Sequence, residues 1–431
     1  MTDTKRLWTL LDTFDLTGYT DRAHREGRDA LRGDGALVDQ IRTLAQATAA
    51  VRKDPARLGR GARRSVETAG LFLDAQDYLL THDKPRYEPY ASVGLLRHLL
   101  RVDGNTASRA ECAHIWLVFR RILEAQLEFE LAALAGITDL GKRDFSPEVA
   151  RNRYLLMAKM RDLIPGRPGS RVVGSRWLTM PAGDRTLSQV AWDRSGTAAV
   201  ERLLLFPQTA CHDEVAFLSQ IQLGECLFWG ALLCVRQALT AVAAGDLATA
   251  TAHVQAAAQF ADPLIKIFHS VRAMPPEHFL NFREETGNAS AVQCASWQML
   301  DAHLYGVLPE KVAALHNTPE VRHVLSLDRP DFVPLVPLVA ELGETPEERV
   351  LRDEIVTLDQ RVRAWRAFHT RQLAGRRNPG YIPENANGSG GTAGFPYLAS
   401  HRPPRASALV KGSVKDSDHW PTSGNTRTGS R

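Results

Sequence analysis

The chain has 431 residues, 44% hydrophobic and 24% charged, with a formal net charge of +4 at pH 7. That length allows two or three domain-sized units, and so small a charge excess predicts no dedicated nucleic-acid surface. No run of about 18 uncharged apolar residues is present, so no membrane span is expected. The N-terminal stretch MTDTKRLWTLLDTFD carries acids and lacks a continuous apolar core with a cleavage site, so no secretory signal is expected. Five cysteines (Cys112, Cys211, Cys226, Cys234 and Cys294) are scattered without paired spacing. The set is odd and sparse, which fits a reducing cytoplasm and argues against a disulfide framework or a zinc site. None lies in a CxxCH arrangement for covalent haem attachment.

Residues 1–35 are mixed and charged, broken by Gly27, Gly33 and Gly35. From Ala36 to Ile164 apolar residues recur at three- and four-residue steps, predicting helices over 36–52, 56–82, 89–102, 106–136 and 146–164. His98 and His114 fall within them and read as surface or boundary residues. The stretch PGRPGSRVVGSR, 165–176, cannot continue a helix and reads as a linker. The expected organisation is a helical N-terminal region over 1–165, a linker over 166–184, a second helical region over 185–401 and a disordered tail over 402–431. In the second region helix is expected over 187–206, from His212 to about Ala244, over 247–274, from Ala291 to Tyr305 and over 346–375. No segment with strand periodicity is long enough to build a sheet, so the fold class is all-α.

Three stretches carry chemistry. In HDEVAFLSQIQLGECLFWGALL, acids open the helix, and Phe217, Ile221, Gly224 and Phe228 share one face. A mid-helix glycine costs about 1 kcal/mol relative to alanine. It suits either close helix packing or a flat ligand against the face, with Gln222 and Glu225 off that face to meet polar partners. In NFREETGN, Arg283 follows Phe279 and Phe282. It reads either as a carboxylate receptor screened by aromatic rings or as a surface arginine paired with Glu284 or Glu285. In the last long helix, Leu351, Ile355, Leu358, Val362, Trp365 and His369 form one apolar stripe ending in an imidazole. His369 reads either as a satisfied core residue or as a ligand. The glycine-rich NGSGGTAGFPYL that follows lacks Walker spacing, and reads as an anion-cradling loop or as a linker.

In this order the three stretches resemble the tryptophan 2,3-dioxygenase superfamily, over roughly residues 185–400. HDEVAF is similar to the family's HDE-initiated helix and puts Phe217 at the haem-lining phenylalanine. NFREETGNASAVQ is similar to its substrate segment and puts Phe279, Phe282 and the carboxylate-binding arginine at Arg283, with Ser290 at the loop serine. WRAFH and GSGGTAGFPYL are similar to the proximal-histidine segment and the loop after it, placing Trp365, His369, Ser389 and Gly390. The sequence departs from the family where its distal histidine would stand, here Ile221. The stretch 370–387 is also longer than the family's connection, and some 180 residues precede the match.

The resemblance implies haem b on His369, lined by Trp365, Phe217 and Ser290, with dioxygen as co-substrate. It implies an aromatic amino acid bound by Arg283, Phe279, Phe282, Ile221, Ser389 and Gly390. The implied reaction is dioxygenation of the indole C2–C3 bond, as in tryptophan catabolism by the kynurenine route. The alternatives are monooxygenation, or peroxygenation, of a tryptophan- or tyrosine-like substrate, and a haem-binding helical protein without catalysis. Partners would be the small-molecule substrate and further copies of the chain, as a dimer or tetramer, with neither nucleic acid nor membrane.

Overall fold

The computed structural model describes residues 3–102, 109–165, 186–193, 199–283, 285–286, 293–369, 403 and 405–410. The fold is all-α. Among the described residues the only β-type pairing is an isolated bridge between Arg143 and Cys211.

The organising element is a 32-residue helix, His212–Ala243, whose mean composition is apolar all round. A helix of that kind is a core helix or a membrane span. It is long and apolar enough to cross a membrane, yet 67% of its most apolar window is buried inside the protein. Leu247–Ala261, Leu264–Arg272, Ala295–Tyr305 and Arg109–Leu134 pack around it, and Pro346–Phe368 packs on Leu247–Ala261. One apolar core runs through both halves of the chain, from Leu7 and Leu11 through Phe119, Leu227 and Leu300 to Val362 and Ala406.

Local signals set most element ends. Asp246 caps Leu247–Ala261 by accepting from the Thr249 amide, and Thr345 with Glu348 forms a capping box ahead of Pro346. The stripe of the last helix is as expected: Leu351, Ile355, Leu358, Val362 and Trp365 are buried.

Several details differ from the sequence reading. Residues 3–32, read as broken and charged, form Asp3–Thr13, Leu16–Glu26 and Arg28–Arg32. Asp15 caps the second of these through the Gly18 amide. The helix expected over 247–274 is two helices separated at Pro263, which lacks the N–H that an unbroken helix would use there. The stretch read as 187–206 is a helix over Leu187–Trp192 and a π-helical turn over Val200–Leu204. Past 402, a short helix Ala406–Val410 docks through its Ala406 amide, which donates to Asp359 Oδ2 at 3.1 Å. The expected linker at 166–184 lies outside the described residues.

Candidate aromatic and histidine site

Along the central helix every side chain from His212 to Val235 is buried except Phe217 and Ile221, which are half-buried. Being four residues apart they share a face, and between His212 and Val235 that face is the least covered part of the helix among the described residues. Gly224 continues that face, and a Cβ added there would meet only the Phe228 ring, at 3.8 Å. Close helix packing is therefore not what Gly224 serves. That role belongs to Gly230, where an added Cβ would lie 2.4 Å from the Phe260 ring. Gln222 and Glu225 point away from the open face and find partners, as expected. Gln222 Nε2 donates to the carbonyls of Leu204 (2.7 Å) and Ala91 (3.1 Å). Glu225 accepts from Tyr87 Oη at 2.8 Å and Ser296 Oγ at 2.5 Å.

Two groups of side chains meet at this face. Pro276–Arg283 brings Phe279 and Phe282 to Phe217, with ring centroids 5.5 Å and 5.6 Å from it and 5.4 Å from each other. Phe282 is fully buried and backs the other two, which are half-buried. Arg283 closes the same helix. Its Nη1 donates to Thr286 Oγ1 at 2.7 Å, and burial lowers its pKa from the ordinary value, with Tyr90 opposing.

The second group surrounds His369. Its imidazole is stacked on Trp365 (5.8 Å, 12°) and edge-on to Phe268 (4.8 Å). Trp365 in turn contacts Trp297 at 4.5 Å, Phe228 at 5.2 Å and Phe268 at 5.5 Å. Desolvation among these rings, with the positive charge of Arg366 adding to it, pushes the imidazole pKa down to about 4. His369 is thus a neutral base at physiological pH, as a metal-binding imidazole must be. Phe228, on the same face of the central helix as Phe217, meets Trp365, and Phe268 packs against the Cys211–Val271–Met274–Phe282 cluster that Phe217 and Phe279 also cover.

Sequence reasoning did not anticipate the frame beneath these rings. Arg153, 1% exposed, donates from Nε to Glu130 Oε1 (2.5 Å) and from Nη2 to Asp213 Oδ1 (2.7 Å). His212 Nε2 lies 2.9 Å from Glu130 Oε2, and His278 Nδ1 lies 2.7 Å from Asp213 Oδ2. Burial works against the Glu130 charge, but Arg153 and His212 overcome it and hold the pKa at about 2. The network ties the start of the central helix to the helix bearing Phe279 and Arg283. The HDE run gave a signal, read as acids suited to a helix N-terminus and as the family's HDE helix, without the buried partners it finds here. Glu214 completes the frame by accepting from the amides of Gln208 (2.9 Å) and Thr209 (2.6 Å), from Thr209 Oγ1 (2.6 Å) and from Tyr90 Oη (3.2 Å). Burial still raises its pKa to about 7.

The residues present fit a planar porphyrin held by one imidazole. Half-buried Phe217 and Ile221, beside Gly224, offer an apolar surface, and His369 is neutral. Buried donors beside it lack acceptors: Nε1 of Trp365 and of Trp297, and Nε and Nη1 of Arg366, have no hydrogen-bond partner among the described residues. Such donors suit the carboxylates of an acidic ligand. A bare metal ion is a poorer fit, since no group of three or more His, Cys, Asp or Glu able to hold one occurs among the described residues. Ser290, Ser389 and Gly390 lie outside those residues.

Fold and site define an all-α protein in which a neutral histidine sits against a cluster of aromatic side chains. No family model and no solved structure matches the chain. The chain is similar to a tryptophan 2,3-dioxygenase from Ruegeria sp. (strain TM1040), with 25% identity over 224 residues, covering 43% of this chain and 78% of the relative. That match supports a distant relationship to the superfamily rather than a place beside any one member.

Proposed function

We propose that the protein is a haem-dependent oxygenase of an aromatic amino acid, with tryptophan or a tryptophan derivative as the substrate. The observation that carries this reading is the neutral His369 on Trp365, which meets Phe228 on the helix face that also bears Phe217, with Phe217 in turn against Phe279 and Phe282 of the helix that ends in Arg283. In this reading His369 would hold the haem iron through an imidazole nitrogen, and Trp365 and Phe268 fix the imidazole plane. Trp365 and Arg366 offer the adjacent donors. Haem b, when bound, supplies the dioxygen chemistry that no side chain performs.

The remaining work belongs to the chain. Phe217 and Phe279 hold the substrate ring and exclude water, which strengthens every charge interaction inside the site. Arg283 receives the carboxylate as a forked pair. Ile221 neither donates nor accepts a proton, so proton transfer at that position falls to the substrate itself.

Indole C2–C3 dioxygenation, giving an N-formylkynurenine-type product, needs no protein base and is compatible with isoleucine there. The half-buried Ile221 beside Phe217 also favours a second reading, monooxygenation of a tryptophan- or tyrosine-like ring. Both readings are tested by incubating haem-loaded protein with L-tryptophan and L-tyrosine, under dioxygen and reductant or with peroxide, and analysing products by mass. Two added oxygen atoms on tryptophan support the first reading, and one added atom on either substrate supports the second. No aromatic product under any condition would refute both.

A further inference from the structure

The segment carrying Arg283 is tied at both ends to the N-terminal half of the chain. At the near end, Arg28 Nη2 donates to Glu285 Oε2 at 2.9 Å, with the Arg28 side chain 5% exposed and Glu285 32% exposed. At the far end, the Tyr87 amide donates to Gln293 Oε1 at 3.0 Å. The Arg28 main chain is itself fixed, since its amide donates to the Gln208 carbonyl at 2.6 Å. Gly27 makes that approach possible. It sits at φ 80°, and an added Cβ would come within 3.1 Å of the Gln208 carbonyl oxygen and the Thr209 Cα. Gln208 and Thr209 bind Glu214, Glu214 binds Tyr90, and Tyr90 lies near enough to Arg283 for each to influence the other's ionisation. Arg28, Tyr90, Glu214, Arg283 and Glu285 thus belong to one cluster drawn from both halves.

The ion pair leaves part of the Arg28 guanidinium unsatisfied. Its Nε and Nη1 are buried with no hydrogen-bond partner among the described residues. A buried ion pair with unsatisfied donors is commonly replaceable by apolar side chains at no loss. Glu285, by contrast, stands two residues from Arg283. Released, it could compete for that guanidinium.

We propose that Arg28 is a positioning residue for Arg283. By holding Glu285, it anchors the segment and keeps an internal carboxylate from the cation that receives the substrate carboxylate. The proposal rests on reading Arg283 as that receptor.

The test uses the full-length haem-loaded protein and the variants Arg28→Ala, Arg28→Lys and Arg28→Ala/Glu285→Gln. Two readouts are taken: backbone hydrogen exchange over residues 283–293, and binding of L-tryptophan and L-tyrosine against tryptamine and tyramine, which lack the carboxylate. Arg28→Ala should speed exchange and weaken the amino acids by about tenfold, the scale of one charge-assisted hydrogen bond. The two amines should bind as before. Arg28→Lys should retain part of the affinity. The double variant should recover amino-acid binding while its exchange stays fast, because the competing charge is gone. Unchanged exchange in Arg28→Ala, equal losses for amino acids and amines, or no recovery in the double variant would overturn the proposal. Wild-type protein that binds the amines as tightly as the amino acids would instead refute the carboxylate-receptor reading of Arg283, whatever the exchange shows.

Discussion

Replacing Arg153 with methionine removes the guanidinium that bridges Glu130 and Asp213 and keeps most of the side chain's volume. In the wild type Glu130 is held at about pKa 2 against an ordinary 4.5, although burial works the other way. At 1.36 kcal/mol per unit, that difference is roughly 3 kcal/mol of stabilisation. Removing one partner of a buried pair typically costs about 3–5 kcal/mol, because the other charge is stranded. The expected loss, read from urea unfolding at pH 8, is therefore about 3–5 kcal/mol.

The pH dependence gives a second check. In the wild type the depressed Glu130 pKa contributes stability that is complete above about pH 4.5 and is lost as pH falls through about 2. In the variant burial dominates, the pKa of Glu130 rises above 4.5, and its ionised form becomes a liability that protonation relieves. The gap between wild type and variant should narrow from pH 8 to pH 5. A loss under about 1 kcal/mol, or a gap that does not narrow, would refute the reasoning. Because His278 hangs from Asp213, the variant should also loosen the helix carrying Phe279 and Arg283.

Further outcomes follow from Glu214 and from the two glycines of the central helix. Glu214 has a folded pKa of about 7 against 4.5 unfolded, so the folded state binds the extra proton, and stability should fall by up to roughly 3 kcal/mol between pH 4.5 and 7 and then level. Glu214→Gln should flatten that stretch of the urea-midpoint profile, and an unchanged slope would count against the assignment. Gly230→Ala should cost about 1–3 kcal/mol by driving a methyl into the Phe260 ring. Gly224→Ala should gain up to about 1 kcal/mol in thermal unfolding of the haem-free chain, where helix propensity acts without a clash. The same methyl would stand on the proposed ligand floor, so haem uptake should weaken. Uptake equal to wild type would remove Gly224 from the floor.

What the sequence reveals about this fold is local. The Leu351–Trp365 stripe and the central helix are legible because their periodicity spans about four turns or more, and Thr345 and Asp246 announce their helices by capping. The helices within 3–32 are short and charged, so burial of Leu7, Leu11 and Tyr19 against distant partners decides them rather than their own pattern. Pro263 escaped notice because apolar spacing continues across it. The open face was readable as Phe217, Ile221, Gly224 and Phe228, but which glycine packs tightly was not, since Phe260 approaches from another helix. The walls around His369 were hidden for the same reason. Phe268 and Trp297 come from helices with no sequence mark of a site. Arg153 meets Glu130 and Asp213 across separations of 23 and 60 residues, which no spacing rule reaches. The resemblance to the dioxygenase superfamily points to Phe217, Arg283 and His369, and the structure describes what packs around each.

The central claim is that His369 is an iron-binding imidazole on an aromatic wall. The most direct measurement is the absorption spectrum of the full-length protein reconstituted with haem, compared with His369→Ala prepared identically. The account predicts a Soret band typical of histidine-ligated b-type haem in the wild type, abolished or strongly shifted in His369→Ala and retained in Arg283→Ala. A wild type without a Soret band, or a His369→Ala spectrum identical to it, would contradict the account.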